Sequence, residues 1–483
     1  MKLINNLNFL NFKTKKNIDY LLEEFFKLDL FNPITDKNYF SQYDFSLFTN
    51  KKYRVHVFGM GGSSLSAKLL MQFLAPEKIN TELFIYDNPS PIQLDSNLSS
   101  ITISKNDLFI FISKSGNTVE TKFFLHWIIK YLKKNKIKNI YKHFLFITEN
   151  KNNYLNNFAQ KNNIRTFEHD PQIGGRFSIF SITALLPIIA MGYSLGSLIN
   201  SFKKAKELMK KNHKKLALNI ISSQVYEKNK GLNIIVGLNY HDKLRTLNEW
   251  YRQIFAESLG KNKKAINYFS AFGSIDQHSQ FQLFIDGPRD KQFIFFKIKN
   301  STKPINSIQD LLLNNNLLST LEKGAIKTLE LEKLLVNQII IDDNFDDYSY
   351  LLIYLIFDIY LRAKIEKINF LDQPAVEVLK KNTRAYLIEK LIKLFKAKSF
   401  FHLIKIFIVF ALAGSLSVII SDPILKIINL NEIITYYPLY LLIRLIIIFP
   451  LYQITLMAVS FCFGEYTYFK KFMIKFLNYF RFR

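Results

Sequence analysis

Six short runs limit what this chain can fold into: YRVHVFGM (53–60), ELFIYD (82–87), DLFIFISK (107–114), KHFLFITE (142–149), GLNIIVGL (231–238) and QFIFFKIK (292–299). Each reads as a strand, and the run Leu108 to Ile112 is continuously apolar, which is the pattern of a strand buried on both faces. Amphipathic helical stretches separate them. Val119, Phe123, Phe124, Trp127, Ile128, Tyr131 and Leu132 recur at three- and four-residue spacing after the third run, and RTLNEWYRQIFAESLG (245–260) follows the fifth. Strands alternating with helices predict a parallel sheet covered on both faces. The pattern occurs twice, over 51–200 and 230–397, with a lysine-rich helical connector at 201–229 and a helical extension at 1–50. The expected class is therefore α/β, with two doubly wound parallel-sheet domains in tandem.

Two strand ends carry unusual loops. After Ile112 come Ser113, Lys114, Ser115, Gly116, Asn117 and Thr118, and then a helix starts, with Asn117 at the expected N-cap and Glu120 three positions on. Hydroxyls, free backbone N–H groups and one ammonium gathered around a point suit a phosphate. After Phe58 come Gly59, Met60, Gly61, Gly62 and Ser63. Glycine lets the backbone approach an anion closely, at the carboxyl end of a strand where ligands of open α/β sheets bind. The spacing is not that of a dinucleotide site, because Ser64 stands where G-x-G-x-x-G requires its last glycine. A phosphorylated small molecule fits both loops.

Composition sets further bounds. A length of 483 residues with 49% hydrophobic content supports large cores and several domains, and the single cysteine, Cys462, excludes a disulfide framework and a cysteine-built metal site. The net charge of +26 would ordinarily raise nucleic acid or an anionic surface as a partner. Its lysines are scattered, however, and no nucleic-acid-binding module accompanies them, so no nucleic acid is expected. The opening MKLINNLNFLNFKTKKNIDYLL has neither an unbroken apolar core nor a small-residue cleavage site, so the bulk of the chain is expected to stay in the cytoplasm.

Six segments, GMGGSSLS (59–66), SKSGNTVET (113–121), GGRFS (174–178), WYRQIFAESLGK (250–261), DQHSQFQLFIDGP (276–288) and DQPAVEVLK (372–380), together resemble the glucose-6-phosphate isomerase family, in that family's order and across about 50–395. The resemblance implies two sugar-isomerase domains of flavodoxin-like type, aldose–ketose isomerisation through an enediol, and no cofactor or metal. It assigns the substrate phosphate to Ser63, Ser113, Lys114, Ser115 and Thr118, and further substrate contacts to Gly62 and Gln253. Glu257 becomes the base, Arg176 the stabiliser of enediolate charge, and His278 and Lys380 the pair that opens the sugar ring. In that family the histidine comes from the neighbouring subunit, so a homodimer with shared sites is implied. The form SKSGNT is similar to that of bifunctional glucose/mannose-6-phosphate isomerases, and Leu379 stands where the family usually has glycine. A sugar-phosphate-binding protein without turnover is the remaining alternative. Glu257, His278 and Arg176 together argue against it.

The tail departs from that pattern. IFIVFALAGSLSVII (406–420) and LIIIFPLYQITLMAVSFCF (445–463) are uncharged, and the second is long enough to span a hydrocarbon core. Lys390, Lys393, Lys396 and Lys398 precede the pair, and Lys470, Lys471, Lys475, Arg481 and Arg483 follow it. Such flanks predict a transmembrane hairpin over about 403–465 with both ends in the cytoplasm, within a membrane-embedded hairpin and basic tail at 398–483. It would anchor cytoplasmic catalytic domains to the inner membrane. The segment resembles small two-helix bacterial membrane proteins of unknown function.

Overall fold

The computed structural model describes residues 1–5, 15–48, 51–74, 81–263, 265–299, 316–428 and 436–480. The chain divides into two compact units, Met1–Asp372 and Gln373–Arg483.

The first unit contains both sheets. One is built from β2 (Arg54–Phe58), β3 (Leu83–Tyr86), β4 (Asp107–Ile112), β5 (Phe144–Thr148) and β6 (Arg165–Glu168), ordered β3-β2-β4-β5-β6 and parallel throughout. Every residue of β4 and β5 is buried, as continuous apolar runs require in a sheet covered on both faces. Numbered within the sheet the order is 2-1-3-4-5, the doubly wound arrangement whose switch point lies between β2 and β4. The loops after β2 and β4, the two singled out in the sequence, both leave from that switch point.

The second sheet has the order β1-β10-β9-β7-β8, from β7 (Ile234–Asn239), β8 (Asn267–Phe272), β9 (Lys291–Ile298), β10 (Leu335–Ile341) and β1 (Lys2–Asn5). Strands β7 to β10 repeat the winding of the first sheet. The outer place beside β10 is taken by β1, antiparallel, with Leu3 opposite Ile339. The N-terminal extension is thus not wholly helical: its first residues complete a sheet, and the terminal ammonium binds Asp347 at 3.1 Å. Beyond them, α1 (Lys15–Phe26) buries Phe25 in the main core.

The helices used below are α2 (Gly62–Phe73), α3 (Val119–Lys134), α4 (Ile182–Ala190), α5 (Leu195–Lys230), α6 (Arg245–Leu259), α7 (Gly273–Ser279) and α8 (Phe345–Glu366). The expected connector is α5, 36 residues or about 54 Å long, capped by the Ser194 side chain and ended by Gly231 in the left-handed region. Helices α2 and α6 pack together, with Thr246 N donating to Gln72 Oε1 at 3.1 Å and Lys68 near Glu249 at 3.5 Å. That contact brings the first sheet's ligand edge to the face of α6 that carries Gln253 and Glu257.

In the second unit, α9 (Pro374–Leu394) has no buried residue, and α10 (Phe400–Ile427) packs on α11 (Tyr437–Cys462) and α12 (Tyr466–Phe480). Helices α10 and α11 are each long and apolar enough to cross a membrane. Residues 429–435 between them and 481–483 at the basic end lie outside the described residues.

Candidate active site

The loop after β4 is held from below. Ser113 N donates to Ile147 O at 3.0 Å, which carries the chain off the sheet beside β5. Gly116 then turns with φ +64, and a Cβ there would lie 2.1 Å from Asn153 Oδ1, so the position needs glycine twice over. Asn153 fills that space and donates to Thr148 Oγ1 at 3.2 Å and Glu149 O at 3.1 Å. Helix α3 starts one residue later than expected: Thr118 flanks it without a side-chain cap, while Asn117 Oδ1 accepts from Tyr154 N at 3.2 Å. The asparagine is drawn to the neighbouring helix start and is lost as a cap.

What this leaves at the loop mouth is a pair of hydroxyls, Ser113 Oγ and Thr118 Oγ1, 2.8 Å apart, with Ser115 Oγ accepting from Asn117 N at 3.3 Å. Among the described residues the backbone N–H groups of Lys114, Ser115 and Thr118 have no intramolecular acceptor. They sit at the N-terminus of a 16-residue helix, where partial positive charge favours an anion. The ammonium of Lys114 is engaged elsewhere. It donates to Pro171 O at 2.7 Å and Ile173 O at 3.1 Å, with Glu149 at 3.7 Å, because the turn after β6 offers it two carbonyls. Burial lowers its pKa from the usual lysine value, and Glu149 opposes the shift. The expected ring of hydroxyls plus an ammonium is therefore a ring of hydroxyls and N–H groups.

The loop after β2 is shaped by close approach. Gly61 has φ +55, and a Cβ on it would meet Gln253 Nε2 at 2.8 Å. At Gly62 a Cβ would lie 2.1 Å from Gly175 O, so only glycine lets the Gly174–Arg176 turn press against the start of α2. Ser178 Oγ ties the two, within 2.7 Å of Gly175 O and 3.3 Å of Gly62 O. Ser63 follows in the first turn of α2.

That contact delivers Arg176, which is 3% exposed. Its Nε donates to Ser258 Oγ at 3.0 Å and its Nη2 to Phe370 O at 2.6 Å and Asp372 O at 3.1 Å, while Phe177 lies against the guanidinium at 4.9 Å. Nη1 is 3.5 Å from Glu257 Oε2. Burial pulls the Arg176 pKa down, and the charges of Glu257 and Asp372 oppose it. An arginine starting above about 12 stays charged regardless. Gln253 Nε2 donates to Glu257 Oε1 at 2.8 Å, as four-residue spacing on α6 allows, and its Oε1 is buried without a hydrogen-bond partner. Arg176, Glu257, Gln253, Gly61 and Gly62 thus form one cluster, and Lys114 links the loop after β4 to the turn that carries Arg176.

The other two expected residues lie on α7 and α9. His278 is exposed near the end of α7, beyond the edge strand β8, and makes no hydrogen bond or ion pair among the described residues. Lys380 lies on α9 in the second unit, where its ammonium pairs with Glu377 at 2.6 Å and Leu379 is 66% exposed. Sequence reasoning missed Ser258, Ser178 and the carbonyls of Phe370 and Asp372. Ser258 adjoins Glu257 and Asp372 opens DQPAVEVLK, so the segments were flagged but not these contacts. Among the described residues no three His, Cys, Asp or Glu side chains converge as metal ligands would.

Comparison with known proteins bears on the family. The family model for phosphoglucose isomerase matches residues 45–337, and a family of unknown function (DUF6787) matches 405–483. Glucose-6-phosphate isomerase of Campylobacter jejuni is 33% identical over 337 residues, covering 66% of this chain and 82% of the relative. A probable glucose-6-phosphate isomerase of Methanococcus maripaludis is 31% identical, covering 77% and 87%. The crystal structure of a glucose-6-phosphate isomerase from Chlamydia trachomatis superposes with a TM-score of 0.59 at 19% identity, over 80% of this chain and 77% of that one, which concerns the fold alone. With the family model matching more than half of this chain and the two relatives covered over most of their lengths, the chain belongs to the phosphoglucose isomerase family.

Proposed function

We propose that the chain interconverts glucose-6-phosphate and fructose-6-phosphate by proton transfer between adjacent sugar carbons. The carrying observation is the cluster in which buried, charged Arg176 lies 3.5 Å from the Glu257 carboxylate at the mouth of the two anion-ready loops. The substrate phosphate sits on the hydroxyls of Ser63, Ser113, Ser115 and Thr118 and on the backbone N–H of Lys114, with Gly62 giving it close access. Holding it there places the sugar carbons at Glu257, so remote binding energy orients the reaction. Glu257 takes the proton from the second carbon and returns it to the first. Arg176, fixed by three other acceptors, faces the oxygen charge that develops in the enediolate, and its preorganisation means no reorientation is needed at that moment. Gln253 keeps Glu257 in place and offers its free amide oxygen to a sugar hydroxyl.

Ring opening is the part assigned to His278 and Lys380. An exposed histidine at the edge of the second sheet suits donation to a second copy, so the working unit is a homodimer whose sites are shared. Residues 51–200 and 230–397 form the two sugar-isomerase domains, in the cytoplasm. The tail anchors them to the inner membrane through about 403–465. Supporting this, both helices expose broad apolar surfaces, with Ile419, Leu445 and Ile446 each more than 60% exposed. Asp422 on α10 and Arg444 on α11 pair at 3.2 Å across the hairpin.

The test is Glu257→Gln, which keeps the shape but removes proton acceptance. Turnover of fructose-6-phosphate should fall roughly 10²-fold or more while binding of the phosphosugar persists. Near-normal turnover would discard the mechanism. The intact chain assayed on mannose-6-phosphate in parallel separates the single from the bifunctional activity.

A further inference from the structure

We infer that the Lys114 ammonium is a positioning group for Arg176, acting through the turn 171–175, and is not a direct ligand of the substrate phosphate. The inference rests on the proposed isomerase activity. Its basis is where the side chain goes. From the phosphate-facing loop it crosses to the neighbouring turn and donates to Pro171 O at 2.7 Å and Ile173 O at 3.1 Å. Those two carbonyls bracket the last residues before Gly174, Gly175 and Arg176.

The turn is weakly held without this clamp. Gly174 and Gly175 have no Cβ, so their backbone is free to adopt more conformations than other residues allow. On one side Gly175 O is fixed against Gly62 and by Ser178 Oγ at 2.7 Å. On the other side, Lys114 donates the two bonds that fix the carbonyls at 171 and 173. Further back, Gln172 N bonds the Asp170 carboxylate at 2.9 Å and Ile173 N bonds Asp170 O at 3.2 Å. A local turn of this kind sets the shape of 170–173, but it does not set the distance from that shape to the loop after β4. Lys114 does. Its own carbonyl completes the link, accepting from Glu149 N at 3.1 Å and Thr148 Oγ1 at 3.3 Å, so the lysine is itself rigidly seated on the end of β5.

The consequence is a mechanical connection between the two halves of the reaction. The loop that holds the phosphate and the arginine that meets the developing negative charge, at opposite ends of the sugar, are spaced by one side chain. Glu149 lies 3.7 Å from the ammonium and is shared with Lys151 at 2.8 Å, so the side chain is oriented by the two carbonyls more than by this carboxylate.

The experiment compares the intact full-length chain with Lys114→Met, which keeps the apolar stem and removes the donor, and with Ser113→Ala, which removes a proposed phosphate contact. Steady-state isomerisation of fructose-6-phosphate and competitive inhibition by inorganic phosphate are measured on each. For Lys114→Met the expected result is a kcat lower by roughly 10-fold or more, since misplacement of a charged group by about 1 Å has such effects. Its inhibition constant for phosphate should stay within about 2-fold of the parent, because the hydroxyls and N–H groups are untouched. Ser113→Ala should show the reverse split. A rise of about 10-fold or more in the phosphate inhibition constant of Lys114→Met, with kcat preserved, would make the ammonium a direct phosphate ligand and overturn the inference, as would no change in either quantity. Should Lys114→Met not fold, Lys114→Arg serves: the charge is kept but the donor geometry at Pro171 and Ile173 is altered, so a positioning role lowers kcat and a purely electrostatic role leaves it. An intact chain without turnover would instead overturn the isomerase reading itself, and this inference with it.

Discussion

Gly62 shows how much of the site depends on single atoms. Its missing side chain is what allows Gly175 O to lie where a Cβ would be 2.1 Å away, and that approach carries Arg176 to Glu257. The obstructing atom is backbone, so it cannot rotate aside. Gly62→Ala should therefore push the Gly174–Arg176 turn away and lower kcat by roughly 10²-fold, with a loss of stability of about 1–3 kcal/mol from overpacking; an alanine variant with unchanged kcat would mean that the turn has room to move. At this scale the sequence was legible wherever residue type alone decides. The glycines and the hydroxyl-rich loop could be read directly, whereas the Glu257/Gln253 pair came from the family resemblance. The direction of the Lys114 side chain could not, because it depends on carbonyls 57 and 59 residues away. Nor could Ser258 and the Phe370 carbonyl be foreseen as partners of Arg176, since nothing in their types marks them.

The central strands followed the sequence, and so did the outer strand β3, while the other outer strands escaped it. The central strands β2, β4, β5, β7 and β9 appear as apolar runs. The missed strand β6, RTFE, buries only Phe167, and β8, NYFSAF, alternates in burial because each is an outer strand. Strand β10 holds Asn337 and Gln338 in its middle, and β1 is four residues long, too short for any periodicity. What joins the helices behind the second sheet is also invisible in linear order. Arg362 on α8 donates to both oxygens of Glu227 on α5, at 2.6 and 2.8 Å, and to Asp358 at 3.0 and 3.2 Å, while Tyr251 on α6 bonds Asp358 and Gln292 on β9 bonds Glu227. All three charged side chains are at most 8% exposed. Burial works against the Arg362 charge, but Asp358 and Glu227 outweigh it and hold its pKa above the usual arginine value. Removing the arginine leaves two carboxylates without their counter-ion. Arg362→Met is thus expected to cost about 3–5 kcal/mol, seen as a lower midpoint in urea. A change below about 1 kcal/mol would show that water reaches the two carboxylates.

At the scale of the whole molecule the chain joins two kinds of surface that obey different solvents. The unit Met1–Asp372 keeps its large apolar residues in cores around two sheets, whereas α10 and α11 leave Phe407, Leu412, Ile419, Leu442, Leu445 and Ile446 exposed. At 28 and 26 residues these helices measure about 42 and 39 Å, beyond the roughly 30 Å hydrocarbon core, so each has length to spare for interfacial ends. Within the hairpin, Thr455 Oγ1 donates to Ala413 O at 3.1 Å, and the small buried residues Ala413, Ser417 and Ser421 recur every fourth position along one face. Small residues at such spacing let helices approach closely when lipid, not water, surrounds them. Both features fit the proposed membrane hairpin. The full chain should accordingly sediment with membranes and resist extraction by high salt, which releases proteins held by basic charge alone. A chain ending after residue 398 should be soluble, dimeric by light scattering and active, because every proposed catalytic residue, Lys380 included, precedes the cut. Recovery of the full chain in the soluble fraction would make these helices part of a water-facing fold, and collapse of the shortened chain would make them necessary to the enzyme's own stability.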